Sequence, residues 1–460
     1  MSAFVRRICF FILFIFSLSL AFSAENMAYI SPYEQNFAQY SLSSLAEVSL
    51  ITFDSSTPFY RTFGHSSIRV SDPVKNIDKL FTFGAIEDID SPPVLFSLLY
   101  FKPLAKAGAA RFNDVIAYDL KNQNRLVIEQ QLNISREDKE KIYSYLLWKT
   151  QESNRTDNYE LTKNNCATQC RDVIKLAWPT GLPENAFLYR DSSPLTYRSL
   201  IKSKLNPWSS LASDFVLGSV ADRKSELYDM TFMPDILRGV VSIAKIKNQK
   251  GETVSLIKST SIISNPTQTQ AKNSISQNKE APELFFFLLA AFAMSATILQ
   301  PSLYLLSHKT EKTLTTYRIA SSLMQAFDIL FFFITGALGT FILFLNFFGK
   351  NAITAGNINF LWLLPTNIIF AFSCYKEKNS PIISGYFLSL VYLSLFVLIF
   401  RERLFQYINP TFTPIMLITI FRAFYQAVSR PLKAMLPVNV SNRSKSAQSR
   451  QYTKGQQFQH

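Results

Sequence analysis

Apolar and polar positions change character three times along the chain. Arg6 and Arg7 precede an apolar stretch from residue 8 to 20, which Ala21-Phe22-Ser23 closes. A basic start, an apolar centre and small residues at a cleavage position predict a signal peptide over 1–24. From 25 to 257 the apolar runs are short and periodic. Alternation predicts strands at 48–53, 64–70, 80–83, 115–120 and 126–132. Ser135 with Asp138 predicts a capped helix that buries Ile142, Tyr145 and Leu146. A second helix is expected from Asn164-Asn165, with Ala167, Cys170, Val173, Ile174 and Ala177 on one face and Pro179 as its stop. Residues 258–283 are rich in Ser, Thr, Asn, Gln and Lys, and predict a flexible tether. Five apolar segments follow between 284 and 426: 284–306, 323–347, 360–374, 382–400 and 410–424. Each is long enough, or nearly so, to cross a hydrocarbon core of about 30 Å.

Composition agrees with a soluble domain joined to a membrane domain. The chain has 460 residues, of which 48% are hydrophobic and 17% charged, with 41 Phe and 20 Tyr. That is too apolar for an all-soluble protein and excludes disorder as its main character. Lys and Arg number 47 against 33 Asp and Glu, a net charge of +14. Where the charge sits argues against nucleic acid as its partner. Lys309, Lys312 and Arg318 fall in one loop, and Lys376 and Lys378 in another. The tail 427–460 is basic and has no acid. Only Arg401 and Arg403 lie on the wrong side for a periplasmic 25–283 and a cytoplasmic C-terminus. The expected partner of the tail is anionic lipid. Asp328 lies inside the second apolar segment, near its cytoplasmic end, where it is expected to reach water.

The cysteines narrow the chemistry. Cys9 lies in the signal segment and Cys374 in an apolar one, so an exported domain retains Cys166 and Cys170. Four residues apart at a helix start, they are badly placed for a mutual disulfide. In an oxidising compartment a free thiol calls for a reason. Cys166 follows the candidate cap Asn165, where helix-terminal N–H groups favour a thiolate and could hold an oxyanion. Cys170, one turn on, faces the core. A thiol nucleophile needs a base. Of the three His, His308 is in a cytoplasmic loop and His460 ends the chain, which leaves His65. No metal or cofactor is implied.

The run Arg61-Thr62-Phe63-Gly64-His65-Ser66-Ser67-Ile68-Arg69-Val70-Ser71-Asp72-Pro73 resembles the histidine motif of the Lnb family of bacterial lipoprotein N-acyltransferases. Phe81-Thr82-Phe83-Gly84, the segment from Arg125 to Leu132, and Tyr159 with Asn165-Cys166-Ala167-Thr168 and Arg171-Asp172 are similar to its further motifs. Thr196-Tyr197-Arg198, Pro207-Trp208, Leu217-Gly218, Asp222, and Asn357 with Leu361-Trp362-Leu363-Leu364-Pro365 match weaker features. The order His then Asn-Cys also resembles lecithin:retinol acyltransferase-like enzymes. The fold this implies is an α+β, permuted papain-like periplasmic domain followed by an α-helical transmembrane domain. Two positions depart from the family's pattern: Glu87 and Asn164 stand where it tends to have Asp.

The resemblance implies an acyltransferase of the bacterial inner membrane with its catalytic domain in the periplasm. Cys166 would be the nucleophile and His65 its base. The acyl donor would be a phospholipid and the acceptor the N-terminal amine of a diacylated lipoprotein. N–H groups near Asn165 would hold the oxyanion, and Glu87 or Tyr159 would orient His65. The apolar run from Pro93 to Lys102 could dip into the bilayer or line an acyl groove. The competing expectation is a membrane-anchored periplasmic cysteine peptidase or amidase. A tethered scaffold with a merely buried Cys is the non-enzyme alternative.

Overall fold

The computed structural model describes residues 37–56, 61–87, 89, 97–98, 102–177, 195–247, 251–265, 282–307, 309–375 and 380–435. The signal segment, most of the run from Pro93 to Lys102, Pro179, the later part of the tether and the end of the basic tail lie outside them. Contacts divide the chain into two units. One comprises Met1–Ala281 with Phe344–Ile358 and Phe405–Tyr407; the other comprises Pro282–Leu343, Asn359–Leu404 and Ile408–His460.

The first unit is built on a seven-stranded antiparallel sheet. Its strands are β1 (Glu47–Phe53), β2 (His65–Asp72), β3 (Ile77–Ala85), β4 (Leu104–Arg111), β5 (Val127–Leu132), β6 (Thr156–Asn158) and, after a short hairpin of β7 (Lys245–Lys247) and β8 (Thr253–Ser255), β9 (Ile257–Ser264). Their order is β6-β4-β3-β2-β1-β5-β9. The alternation of β2 places Ile68 and Val70 in the main core, with Phe81 and Phe83 of β3. Arg69 faces the other way, paired with Asp78 and Glu129. Helices α1 (Phe112–Asn122), α2 (Arg136–Lys149) and α3 (Cys166–Lys175) follow within the same domain. Ser135 caps α2 by accepting from the Asp138 N–H, as the sequence implied. Helix α3 packs its apolar face, Ala167, Cys170, Val173 and Ile174, into the main core.

Two sequence expectations are corrected here, and one inner strand of the sheet was not expected. Residues 115–120, expected as a strand, belong to α1. The buried positions Phe112, Ile116 and Asp119 follow the helical spacing instead of alternating. Strand β4 went unseen because Leu-Ala-Lys-Ala-Gly-Ala-Ala-Arg carries weak strand propensity; its neighbours β3 and β6 hold it. Residues 258–264, expected as the start of the tether, extend β9 along β5. As an edge strand exposed over much of its length, β9 needs no apolar stripe.

Four further α-helices among the described residues, α4 (Tyr197–Lys202), α5 (Pro207–Val216), α6 (Leu227–Met230) and α7 (Pro234–Ile243), belong to this unit. Buried Arg198 organises them. It bonds to Asp214, Asp222 and the carbonyls of Leu217 and Gly218. Residues 344–358 and 405–407 dock on the same cluster. Asn357 donates to the Phe215 carbonyl at 2.7 Å, and a Cβ on Gly218 would lie 2.0 Å from the Ala355 carbonyl oxygen. The weaker motifs around Arg198, Leu217-Gly218, Asp222 and Asn357 therefore meet in one structural knot.

The second unit is helical. Four helical stretches are long and apolar enough to cross a membrane: Pro282–Leu306, Glu311–Phe348, Pro381–Arg403 and Pro410–Pro431. Their helices are α8 (Pro282–Leu306), α9 (Glu311–Phe348), α11 (Pro381–Phe400) and α12 (Thr413–Met435), with the short α10 (Asn367–Ala371) between α9 and α11. The expected third segment, 360–374, is broken into short helical pieces. Pro365 and the buried Asn367 fall within it, and Asn359, just before it, is also buried. Asp328 does not reach water. It is fully buried and takes a two-pronged bond from Arg422, at 2.7 Å on each oxygen, with a third from Gln426. Gln300 accepts from the same guanidinium.

Candidate functional site

The strand ends of β1, β2, β3 and β5 meet at one edge of the first unit. Phe53 at the end of β1 lies opposite both His65, which opens β2, and Val127, which opens β5. Two glycines allow the chain to close here. Gly64 has φ +77°, and a Cβ on it would fall 2.7 Å from the Phe53 carbonyl oxygen. Gly84 has φ +76°, and its Cβ would lie 3.2 Å from the Tyr159 ring and 3.4 Å from the Cys166 nitrogen. Both conformations strain any L side chain. The Gly64-His65 and Phe83-Gly84 pairs seen in sequence are thus backbone requirements of this edge.

Helix α3 starts at Cys166. Asn165 caps it in a reciprocal box with Thr168: the Asn165 side chain accepts from the Thr168 N–H, and the Thr168 hydroxyl accepts from the Asn165 N–H. The Asn165 amide also donates to the Leu161 and Phe232 carbonyls, at 2.7 and 2.9 Å. Both its side-chain donors are thereby committed. Asn165 sets where the helix begins.

Cys166 and His65 line one cavity of about 370 Å³. Cys166 is partly exposed, whereas Cys170 is wholly buried in the core. Burial pushes the Cys166 thiol up; the backbone N–H groups of Ser66, Ala167 and Cys166 itself pull it back down. Those amides favour the thiolate form. Burial lowers His65 from 6.5 to about 4, and the guanidiniums of Arg125 and Arg61 push it the same way. Both groups are accordingly uncharged at neutral pH, a thiol and a neutral imidazole that line the same cavity.

The partner of His65 is a residue that sequence reasoning missed. Its Nε2 lies 2.6 Å from the Thr82 hydroxyl. Thr82 is on β3, opposite Ser67 of β2. Glu87 does not reach the ring. It is exposed and pairs with Lys106 at 2.6 Å, and it is not among the residues that line the cavity, although its neighbours Ile86 and Ile89 are. Tyr159 lines the cavity and packs on Gly84, and burial raises its hydroxyl pKa strongly. The signal for Thr82 was the alternation of Leu80, Thr82 and Gly84 on one face of β3, readable only once the register with β2 is known. Among the described residues no cluster of His, Cys, Asp and Glu could hold a metal ion.

Fold and cavity together define a membrane protein whose sheet domain presents a cysteine at a helix start and a histidine on a neighbouring strand. Comparison with known families places it further. The Lnb N-terminal periplasmic domain matches residues 33–203, and the Lnb transmembrane domain matches residues 281–431. The chain belongs to the Lnb family. It is an inner-membrane protein with a periplasmic N-terminal domain. Neither a curated protein nor a solved structure matches it.

Proposed function

We propose that this protein is a lipoprotein N-acyltransferase that works through a Cys166 thioester. Membership of the Lnb family implies acyltransferase chemistry. The observation that carries the reading is Cys166 at the capped start of α3, where backbone N–H groups favour its thiolate, in a cavity it shares with His65.

In this reading Thr82 engages Nε2 of His65 and leaves Nδ1 to accept the thiol proton. The sulfur then attacks an ester carbonyl of a phospholipid. Backbone N–H groups at the start of α3 hold the oxyanion. As the carbon–oxygen bond breaks, His65 returns the proton to the leaving glycerol oxygen, and a lysophospholipid departs. The neutral N-terminal amine of a diacylated lipoprotein attacks the thioester and gives its proton to His65. The amide forms, the carbon–sulfur bond breaks, and the sulfur recovers its proton. No cofactor is needed at any step. Apolar walls, among them Ile86, Leu161 and Phe232, suit an acyl chain and keep water from the waiting thioester.

The test is mass spectrometry of lipoprotein N-termini from cells with and without the protein. A third acyl chain present only with the protein, and absent with Cys166→Ala, supports the reading. Identical N-termini in all three overturn it and favour a cysteine peptidase or amidase.

A further inference from the structure

The cavity has two unlike sides, and sheet order puts His65 between them. On one side, across β1, Arg125 stands just before β5; Arg61 comes from the segment linking β1 to β2. On the other side, Ile86 and Ile89 follow β3. Among the described residues lining the cavity there are two arginines and no carboxylate.

Arg125 is held in place. Its Nε donates to Asp119 at 2.6 Å, its own backbone N–H donates to the other Asp119 oxygen, and its guanidinium lies over the Phe53 ring at 4.7 Å. Asp119 is buried and its side chain only 3% exposed. The tight turn that delivers Arg125 passes through Asn124 at φ +47°. Gln123, in the same turn, also lines the cavity, and its side-chain oxygen accepts from Ser56. That bond turns its amide nitrogen away from Ser56. A guanidinium fixed by a buried carboxylate is preorganised for a second anion.

We propose that Arg61 and Arg125 form a subsite for the phosphodiester of the lipid acyl donor. This rests on the acyltransferase reading. A glycerophospholipid presents an anionic phosphate, an ester carbonyl and an acyl chain in that order. The cavity presents guanidiniums, the Cys166–His65 pair and apolar walls in the same order. Strands β2 and β5 are two steps apart, so their axes are separated by about 10 Å. An arginine side chain reaching inward from the β5 side covers much of that gap, leaving the ester beside Cys166. The same two cations disfavour a protonated amine in the cavity. The acceptor therefore enters in its neutral, nucleophilic form.

The test uses the full-length protein in detergent and follows alkylation of Cys166 by iodoacetamide, located by peptide mass spectrometry. The probes are a dialkyl-ether phosphatidylglycerol, the dialkylglycerol with the same chains, and inorganic phosphate. Ether lipids cannot acylate the sulfur, so protection reports binding alone. The phospholipid is expected to protect at a concentration about tenfold or more below that of the dialkylglycerol, the span of a charge-assisted hydrogen bond. Arg61→Gln should erase most of that difference. Arg125→Lys, which keeps a cation beside Asp119, should narrow it. Equal protection by the two ethers in the unaltered protein overturns the subsite, as does a difference that survives both substitutions. Inorganic phosphate protecting as well as the phospholipid marks a free-anion site and overturns the lipid assignment. Failure of the acyltransferase reading itself shows separately, in the lipoprotein mass spectra.

Discussion

Lowering the pH tests the state of His65. An ordinary imidazole, half protonated near pH 6.5, would be only about 3% in its base form at pH 5. At a pKa of about 4 His65 is roughly 90% base at that pH. The two cases differ by about thirtyfold in available base. The assay is formation of the Cys166 acyl-thioester from a phospholipid, trapped and counted by mass spectrometry at subsaturating donor, where the rate reports the free protein. The rate is expected to stay nearly level on the acid side from pH 7 to pH 5 and to fall only as pH approaches 4. A stability change of defined sign accompanies this. The unfolded chain takes up a proton at His65 near pH 6.5 and the folded chain does not until about 4. Stability is therefore lost as pH falls through that window, by up to about 3 kcal/mol. In His65→Gln this part of the pH dependence of thermal melting should vanish. An acid limb centred near 6.5, or melting curves with the same pH slope in both proteins, would refute the assignment of a buried, cation-flanked neutral base.

Three further outcomes are expected. Cys166→Ser should abolish acyl-enzyme formation, while Cys170→Ala, a small truncation in the core, should keep most of it; normal turnover in Cys166→Ser would end the nucleophile assignment. Gly84→Ala forces a side chain into a left-handed backbone against Tyr159 and the Cys166 nitrogen, and should cost about 1–2 kcal/mol in melting together with a clear loss of rate; an unaffected rate would show that this strand end does not set the thiol's position. Asp328→Leu leaves Arg422 buried without its carboxylate and should destabilise the helical unit by about 3–5 kcal/mol, whereas Asp328→Leu with Arg422→Leu should recover much of that; a double variant as unstable as the single would refute the pairing argument.

Local signals survived into the structure where they were sufficient by themselves. The alternation in β1, β2, β3 and β5, the Ser135 cap and the Asn165 cap depend on neighbours in sequence, and each is found. Cys166 and His65, singled out by compartment and elimination, which need no geometry, line one cavity. Two residues that the resemblance offered for the site have other partners. Glu87 lies three residues after Gly84 yet ends on the surface with Lys106. Asn165 directly precedes the cysteine, but its amide holds the Leu161 and Phe232 carbonyls. Thr82 depends on strand register, and Arg125 on a turn set by Asn124 and Asp119, so neither could be read from spacing. The burial of Asp328 was hidden because its partner Arg422 is 94 residues away on another helix.

The most direct measurement of the central claim is a reconstituted transfer. Purified full-length protein is mixed with phospholipid and a synthetic diacylated lipopeptide, and all products are weighed by mass spectrometry. Triacylated lipopeptide and lysophospholipid are expected in equal amounts, both lost together in Cys166→Ala and after iodoacetamide treatment. Lysophospholipid with free fatty acid and no acylated amine would make the protein a phospholipase, and a cut peptide or murein bond with both lipids unchanged would contradict acyl transfer altogether.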